Sequence, residues 1–223
     1  MRRANQTNLP FPHGWGGRRD GAGRPKLAGS GVAHRRREKL SARHPVHVTL
    51  RVREGIPSLR NVRLVREVER SFRRACDQGR FRVVHYSLQG NHAHLIVEAK
   101  DAEALGRGMM STASLLARAI NRVFSRKGRV LADRYHARVL RTPREVRNAL
   151  AYVLLNGRRH AGRKAKKVGA LDPASSGRWF DGWGSKIEAP GDAPAVARAR
   201  TWLILKGWRR HGLIGLDEIP ARS

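Results

Sequence analysis

Stretches of alternating apolar and polar residues in the middle of the chain predict a small β-sheet. Residues 46–52 alternate with period two and are rich in β-branched side chains, which is typical of a strand with one buried face. Residues 81–88 and 93–99 are also predicted as strands, and the turn residues 89–91 lie between them. We therefore expect these two strands to form an antiparallel hairpin. A fourth, short strand is predicted at 136–140.

Helical spacing of apolar residues predicts three longer helices between and after these strands. Residues 62–77 and 102–124 carry apolar side chains three and four positions apart. A third helix is expected to begin at Thr142, where Pro143 suits the first helical position and Glu145 completes a capping box. Gly157 suits its C-terminal cap, so we expect this helix to end at Gly157.

The order strand, helix, strand, strand, helix, strand, followed by an extra helix, predicts an α+β fold with a ferredoxin-like antiparallel sheet. Three regions are expected. Residues 1–43 form a basic Gly/Arg-rich arm, and residues 44–160 form the main domain. Residues 161–223 form a C-terminal extension with a basic linker, a Trp/Gly-rich segment and a short apolar helix near 196–208.

The net charge of the chain indicates what kind of partner the protein binds. The 223 residues include 47 Lys and Arg against 17 Asp and Glu, giving a net charge of +30. Such an excess favours binding to a polyanion, either nucleic acid or an acidic membrane surface.

The single Cys76 excludes an internal disulfide and a Cys-rich zinc site. No apolar run is long enough to span a bilayer, and no secretory signal begins the chain, so we expect a cytoplasmic, nucleoid-associated protein without a membrane partner.

Two short motifs are candidates for chemistry. His92 and His94 are two apart on a predicted strand, so both imidazoles face one side and can share a divalent metal, although ordinary hydrogen bonding explains most such pairs. Tyr152 and Asn156 are four apart and occupy one face of the third helix. A helical tyrosine more often anchors its ring at the edge of a core. Tyr135 is the reserve candidate, while the surroundings of Tyr86 favour a structural role.

Together these motifs resemble a known family. Residues 89–97, QGNHAHLIV, followed by residues 151–156, AYVLLN, are similar to the HUH-class single-tyrosine transposases, most of all to the branch associated with repetitive extragenic palindromes (REP). Residues 46–49, VHVT, match the family's first strand, and residues 128–130 with Arg134 and Tyr135 match the segment before its last strand. The resemblance covers residues 44–160. Where that branch usually has Asn-Pro, this chain has Asn156-Gly157.

The resemblance implies a metal-dependent endonuclease and strand transferase acting on single-stranded or hairpin DNA in transposition, as a monomer or a homodimer. His92 and His94 would bind Mg²⁺ or Mn²⁺, Asn156 would be the third ligand, and Tyr152 would be the nucleophile that forms a 5′-phosphotyrosine. Arginines are expected to contact DNA phosphates or ease formation of the phenolate. They are Arg18, Arg19, Arg35, Arg36 and Arg37 in the arm, and Arg138 and Arg141 in the domain.

Two other functions fit the sequence. One is a non-catalytic DNA- or RNA-binding relative that has kept the fold; the aromatic run of an RNA-recognition motif is absent. The other is a metal-dependent nuclease that uses water, with Tyr152 only structural. Aromatic residues of the extension are candidates for base stacking: Trp179 and Trp183 stay open between stacking and packing, whereas Trp202 and Trp208 are expected to pack on the core.

Overall fold

The computed structural model describes residues 39–161, 171–188 and 190–220. The elements follow the predicted order, strand, helix, strand, strand, helix, strand and helix. They are β1 (Val46–Arg51), α1 (Val62–Ala75), β2 (Phe81–Leu88), β3 (His92–Ala99), α2 (Ala102–Val123), β4 (His136–Val139), α3 (Pro143–Ala161) and α4 (Trp202–Leu205). Short 3₁₀ helices lie at Ser176–Trp179 and Gly207–His211.

The four strands form one sheet in the order β2-β3-β1-β4, and every neighbouring pair is antiparallel. This arrangement confirms the predicted α+β class with a ferredoxin-like antiparallel sheet. The two central strands, β1 and β3, place Thr49 opposite His94 and Arg51 opposite His92. Opposed residues of antiparallel strands have neighbouring side chains on the same face, so β1 and β3 together furnish one patch of the sheet surface.

The two faces of the sheet carry separate cores. One core joins α1 and α2 to the sheet through side chains such as Val48, Leu95 and Val97. The other core joins α3 to Val84 and Ile96 and to aromatic and aliphatic residues of the C-terminal part. Residues of β3 alternate between the two cores with period two, as the sequence predicts. The histidines of β3 therefore lie on the face that α3 covers.

The start of α3 has the predicted capping box. The backbone N–H of Glu145 donates to Thr142 Oγ1 (3.2 Å), and the N–H of Thr142 donates to Glu145 Oε2 (3.1 Å). The predicted end at Gly157 is wrong, because α3 continues to Ala161. A Cβ at position 157 would lie only 2.0 Å from Asp172 Oδ2, which is paired with Arg60. Glycine is required here by close approach and not as a helix cap.

The C-terminal residues pack on the sheet through polar as well as apolar contacts. The carboxylate of Glu98, 1 % exposed, accepts hydrogen bonds from the N–H of Thr201 (2.8 Å) and from Arg82 Nη1 (2.9 Å). The helix expected at 196–208 is limited to α4 and the 3₁₀ turn after it. Among the described residues, no helix has both the length and the apolar character needed to cross a bilayer.

Candidate active site

The histidine pair lies at the start of β3, on the face of the sheet that carries α3. The ring centroids of His92 and His94 are 4.7 Å apart, and the ring planes are nearly perpendicular. The two side chains leave the strand on one face because they are two residues apart. Rings this close can share one metal ion, since a metal–imidazole nitrogen bond is about 2.1 Å long.

Both imidazoles use the Nδ1 atom for contacts within the protein. His92 Nδ1 lies 2.8 Å from Asn91 Oδ1. His94 Nδ1 lies 3.1 Å from Thr49 Oγ1 and 3.2 Å from His47 Nε2. A hydrogen bond through one ring nitrogen fixes the orientation of a metal-binding histidine and leaves the lone pair of the other nitrogen for the metal. The structure thus favours Nε2 of both histidines as the metal-binding atoms.

Tyr152 projects from α3 onto the rings of His94 and His47. Its ring centroid lies 5.0 Å from that of His94 and 5.8 Å from that of His47, both in edge-to-face geometry. The buried side chains Val146, Leu150 and Val153 dock α3 on the sheet, while Tyr152 is only half-buried at the edge of that stripe. The structure therefore brings together the phenol and an imidazole that are far apart in the sequence.

Asn156 lies one helical turn beyond Tyr152 and is fully buried. Neither polar atom of its carboxamide has a hydrogen-bond partner among the described residues. A buried carboxamide without partners costs free energy, so a ligand that engages it would be stabilising. Two imidazoles and one carboxamide fit Mg²⁺ or, better, Mn²⁺ in donor chemistry. Within the described ranges, no group of three or more His, Cys, Asp or Glu side chains is placed to hold a metal.

Burial and a neighbouring positive charge change the pKa of His47, which lies beside His94. Desolvation, with a smaller contribution from the positive charge of Arg138, lowers the pKa of His47 to about 4. His47 is consequently neutral at neutral pH, and its Nε2 atom can accept a hydrogen bond from a protonated Nδ1 of His94. Arg138 lies opposite His47 in the pairing of β1 with β4.

A cleft of about 960 Å³ opens beside the histidine pair. Its lining includes His92, His94 and Thr49 together with Arg51, Arg53 and Arg134. We call this feature the basic cleft, although Glu54 and Asp133 also line it. Three guanidinium groups beside two candidate metal-binding imidazoles provide contacts for the phosphates of a nucleic-acid strand.

The arginines predicted in the domain lie outside the basic cleft. Arg138 Nη2 is 3.4 Å from Glu145 Oε1, and the backbone N–H of Arg141 donates to the same carboxylate (2.8 Å). Both line a separate, smaller depression. Arg18, Arg19, Arg35, Arg36 and Arg37 fall outside the described residues.

The other two tyrosines pack in the core that holds α1 and α2. Tyr135 packs against the core that holds α1 and α2 and is not part of the lining of the basic cleft. Tyr86 is fully buried and donates to Glu69 Oε1 (3.1 Å), so its structural role is confirmed. Burial and the neighbouring carboxylate raise the pKa of Tyr86 far above its usual value.

The tryptophans of the C-terminal part range from buried to exposed. Trp183 and Trp208 are buried in the core around α3, which confirms packing for Trp208. The expectation that Trp202 packs on the core is wrong, because its ring is 47 % exposed. The guanidinium of Arg210 lies 4.9 Å above that ring, and that of Arg178 lies 3.9 Å above Trp179. An arginine therefore covers one face of the exposed Trp202 and of the half-buried Trp179, which packs against the core of α1 and α2.

Sequence reasoning missed three side chains of this region: His47, Thr49 and Arg51. A signal for them exists, because positions 47, 49 and 51 alternate with the buried residues of β1 and so share one face. What the pattern does not contain is the register that sets Thr49 opposite His94.

Of the comparisons with known proteins, those with solved structures give matches. No protein-family model and no curated protein matches the chain. Among the similar solved structures is that of a REP-associated tyrosine transposase bound to a REP hairpin, with 14 % sequence identity and a TM-score of 0.45. The match covers 60 % of this chain and 77 % of that chain.

Proposed function

We propose that this protein is a metal-dependent nuclease and strand transferase that cuts single-stranded or hairpin DNA with Tyr152 as the nucleophile. The observation that carries the proposal is the convergence of Tyr152 on His94, with ring centroids 5.0 Å apart, beside the second imidazole of His92. A phenol, two imidazoles and the basic cleft then lie on one face of the sheet.

The residues of the site would have separate roles in binding the metal, the DNA phosphates and the ring of His94. His92, His94 and Asn156 would hold Mg²⁺ or Mn²⁺, which when bound polarises the scissile phosphate and offsets charge on its oxygens. Arg51, Arg53 and Arg134 would hold neighbouring phosphates in the basic cleft. Thr49 and His47 fix the ring of His94 through its Nδ1 atom.

Tyr152 supplies the covalent chemistry. Its Oη atom loses the phenol proton and forms a bond to phosphorus while the bond from phosphorus to the 3′ oxygen breaks. The departing 3′ oxygen gains a proton and ends as a hydroxyl, and the 5′ phosphate remains on the tyrosine. Because the linkage is still a phosphodiester, a 3′-hydroxyl of another strand can later displace the tyrosine without an external energy source.

The test is formation of a covalent protein–DNA adduct. Purified protein is mixed with end-labelled single-stranded DNA that contains a hairpin, Mn²⁺ is added, and the products are separated on a denaturing gel. We expect a band of protein joined to DNA that disappears in Tyr152→Phe and in EDTA. Tyr135→Phe is the matched control and should keep the band, because Tyr135 lies outside the basic cleft.

The same gel separates the two other functions. Cleavage without an adduct, retained in Tyr152→Phe, would show that water is the nucleophile. Binding without cleavage under any metal condition would show a non-catalytic DNA-binding protein. Either result would reject Tyr152 as the nucleophile of this protein.

A further inference from the structure

A second buried carboxamide lies next to the site and takes no part in the chemistry described above. Gln89 is fully buried at the end of β2, and its Oε1 atom has no hydrogen-bond partner among the described residues. Its Nε2 atom donates to Ser87 Oγ. Burying an amide oxygen without a partner is unfavourable, so this oxygen is poised for a ligand.

The strand pairing places Gln89 beside the histidine pair. The backbone N–H of Gln89 donates to the carbonyl of His92 (2.8 Å), and Ser87 lies opposite His94 in the pairing of β2 with β3. Gln89 and Ser87 are two apart, as are His92 and His94, so the four side chains share the sheet face that α3 covers.

Contacts around Arg60 bring the same segment to Asn156. Arg60 Nη1 donates to the carbonyl of Leu88 (3.3 Å), the residue before Gln89. The same nitrogen lies 3.1 Å from the position that a Cβ of Gly157, the residue after Asn156, would occupy. Arg60 therefore links the end of β2 to the part of α3 that carries Asn156, and each of these two segments holds a fully buried carboxamide with an unsatisfied polar atom.

We infer that Gln89 is a ligand of the same divalent cation as His92, His94 and Asn156, an assignment that rests on the proposed function and adds a carboxamide oxygen to its metal site. Two imidazole nitrogens and two carboxamide oxygens form a mixed donor set suited to Mn²⁺ and Mg²⁺. The cation would satisfy both buried amides at once, which explains why two uncompensated polar groups are retained.

The test measures binding of Mn²⁺ alone, in the absence of DNA, to the full chain stripped of metal by a chelator. Isothermal titration gives the Kd of the wild-type protein, Gln89→Met and Gln78→Met. Methionine fills a similar volume without an oxygen donor, and Gln78 is an exposed glutamine away from the site. We expect Gln89→Met to raise the Kd for Mn²⁺ by about tenfold or more, as loss of a metal-site contact does. Gln78→Met should leave it unchanged.

A second measurement separates a metal ligand from a merely structural residue. Gln89→Met removes the unsatisfied oxygen together with the hydrogen bond from Nε2 to Ser87 Oγ, and these two effects oppose each other, so the metal-free variant should melt close to the wild-type protein. Gln89→Glu keeps an oxygen donor and buries a negative charge, so its metal-free form should melt lower, and Mn²⁺ should raise its melting temperature more than it raises that of the wild type. This second variant tests the inference even if Gln89→Met does not fold.

The outcomes separate this inference from the proposed function. If His94→Ala abolishes Mn²⁺ binding while Gln89→Met binds with the wild-type Kd, Gln89 is not a ligand and only the inference is overturned. If the wild-type protein itself does not bind Mn²⁺, the metal dependence of the proposed function fails as well. A smaller Mn²⁺ stabilisation of Gln89→Glu than of the wild type would also overturn the inference.

Discussion

Two hydrogen-bond partners hold the ring of His94, and they give the site its orientation at the scale of single residues. Thr49 Oγ1 and His47 Nε2 both lie within 3.2 Å of His94 Nδ1. A tautomer with the proton on Nδ1 presents the Nε2 lone pair, and either partner can accept that proton. The side chains of β1 would thus act on the proposed metal site through His94.

Thr49→Val tests this role, because valine keeps the shape of threonine and removes the hydroxyl. We expect the Kd for Mn²⁺ to rise by about tenfold, as it does when a partner of a metal-binding histidine is lost. Titration calorimetry on metal-free protein measures it. Thr112→Val is the control, since that buried hydroxyl donates to Gly108 within α2, on the other face of the sheet. An equal change in both variants would show a general effect of hydroxyl loss.

His85 makes stability depend on pH. It is buried on the α3 side of β2 with Nδ1 3.2 Å from Ser176 Oγ, and burial lowers the pKa of His85 to about 4. The unfolded chain, with a pKa near 6.5, binds the proton first. The stabilising contribution of neutral His85 is therefore complete above about pH 6.5 and is lost as the pH falls towards 4, a loss of about 3 kcal/mol.

The measurement is the free energy of unfolding of the wild type and of His85→Gln as a function of pH. The difference between the two curves should shrink by about 3 kcal/mol from pH 7 to pH 4. His47 is present in both proteins, so its own titration cancels from the difference. Curves that stay parallel over this range would show that His85 is not kept neutral by the fold.

At the scale of the elements, Gly157 shows how one contact reverses a local preference. Alanine is normally favoured over glycine inside a helix by about 1 kcal/mol. Here a Cβ would overlap the carboxylate of Asp172, whose oxygens lie 2.8 and 2.9 Å from the guanidinium of Arg60. An added methyl group must displace this ion pair, and such overpacking costs about 1–3 kcal/mol.

We therefore expect Gly157→Ala to destabilise the protein by about 1–2 kcal/mol in denaturant unfolding, against the sign of helix propensity. Gly106→Ala in α2 is the control, because a Cβ at position 106 meets nothing within 4 Å. That variant should be more stable by about 0.5–1 kcal/mol. A stabilising Gly157→Ala would contradict the close approach of α3 to Asp172.

Local features of this fold can be predicted from the sequence, whereas features that depend on distant segments cannot. Periodicity predicts the strands and helices because their buried faces follow from local geometry, and the capping box of α3 is complete in four residues. The end of α3 was mispredicted because the partner of Gly157, Asp172, comes from a later segment. An irregularity in the pairing of β2 around Val84 is another non-local feature, and it lets Val83 and Tyr86, three residues apart, enter the same core.

The candidate site also combines features that the sequence predicts with features that depend on the tertiary structure. The spacing of His92 with His94 and of Tyr152 with Asn156 assigns each pair to one face of its own element. That Tyr152 meets His94, and that Thr49 contacts His94, depends on strand order and on the docking of α3. These are tertiary facts that no window of the sequence contains.

At the scale of the whole molecule, a net charge of +30 guarantees attraction to nucleic acid but does not say where the strand binds. We propose the basic cleft as the location, because Arg53 and Arg134 line it beside the histidine pair. Arg107 and Arg118 lie on α2, which covers the opposite face of the sheet. Equal numbers of positive charges can thus be removed from the two faces.

The salt dependence of DNA binding distinguishes a defined cleft from attraction to the net charge. Each phosphate contact with single-stranded DNA contributes about −0.7 to the slope of log K against log salt concentration. The double variant Arg53→Gln/Arg134→Gln should lose affinity for single-stranded DNA, and its slope should become shallower by about 1.4. Arg107→Gln/Arg118→Gln removes the same charge from the α2 face, so its slope should match the wild type. Fluorescence anisotropy at a series of salt concentrations measures both. If the two double variants change the slope equally, binding follows total charge, and the basic cleft is not where the strand is held.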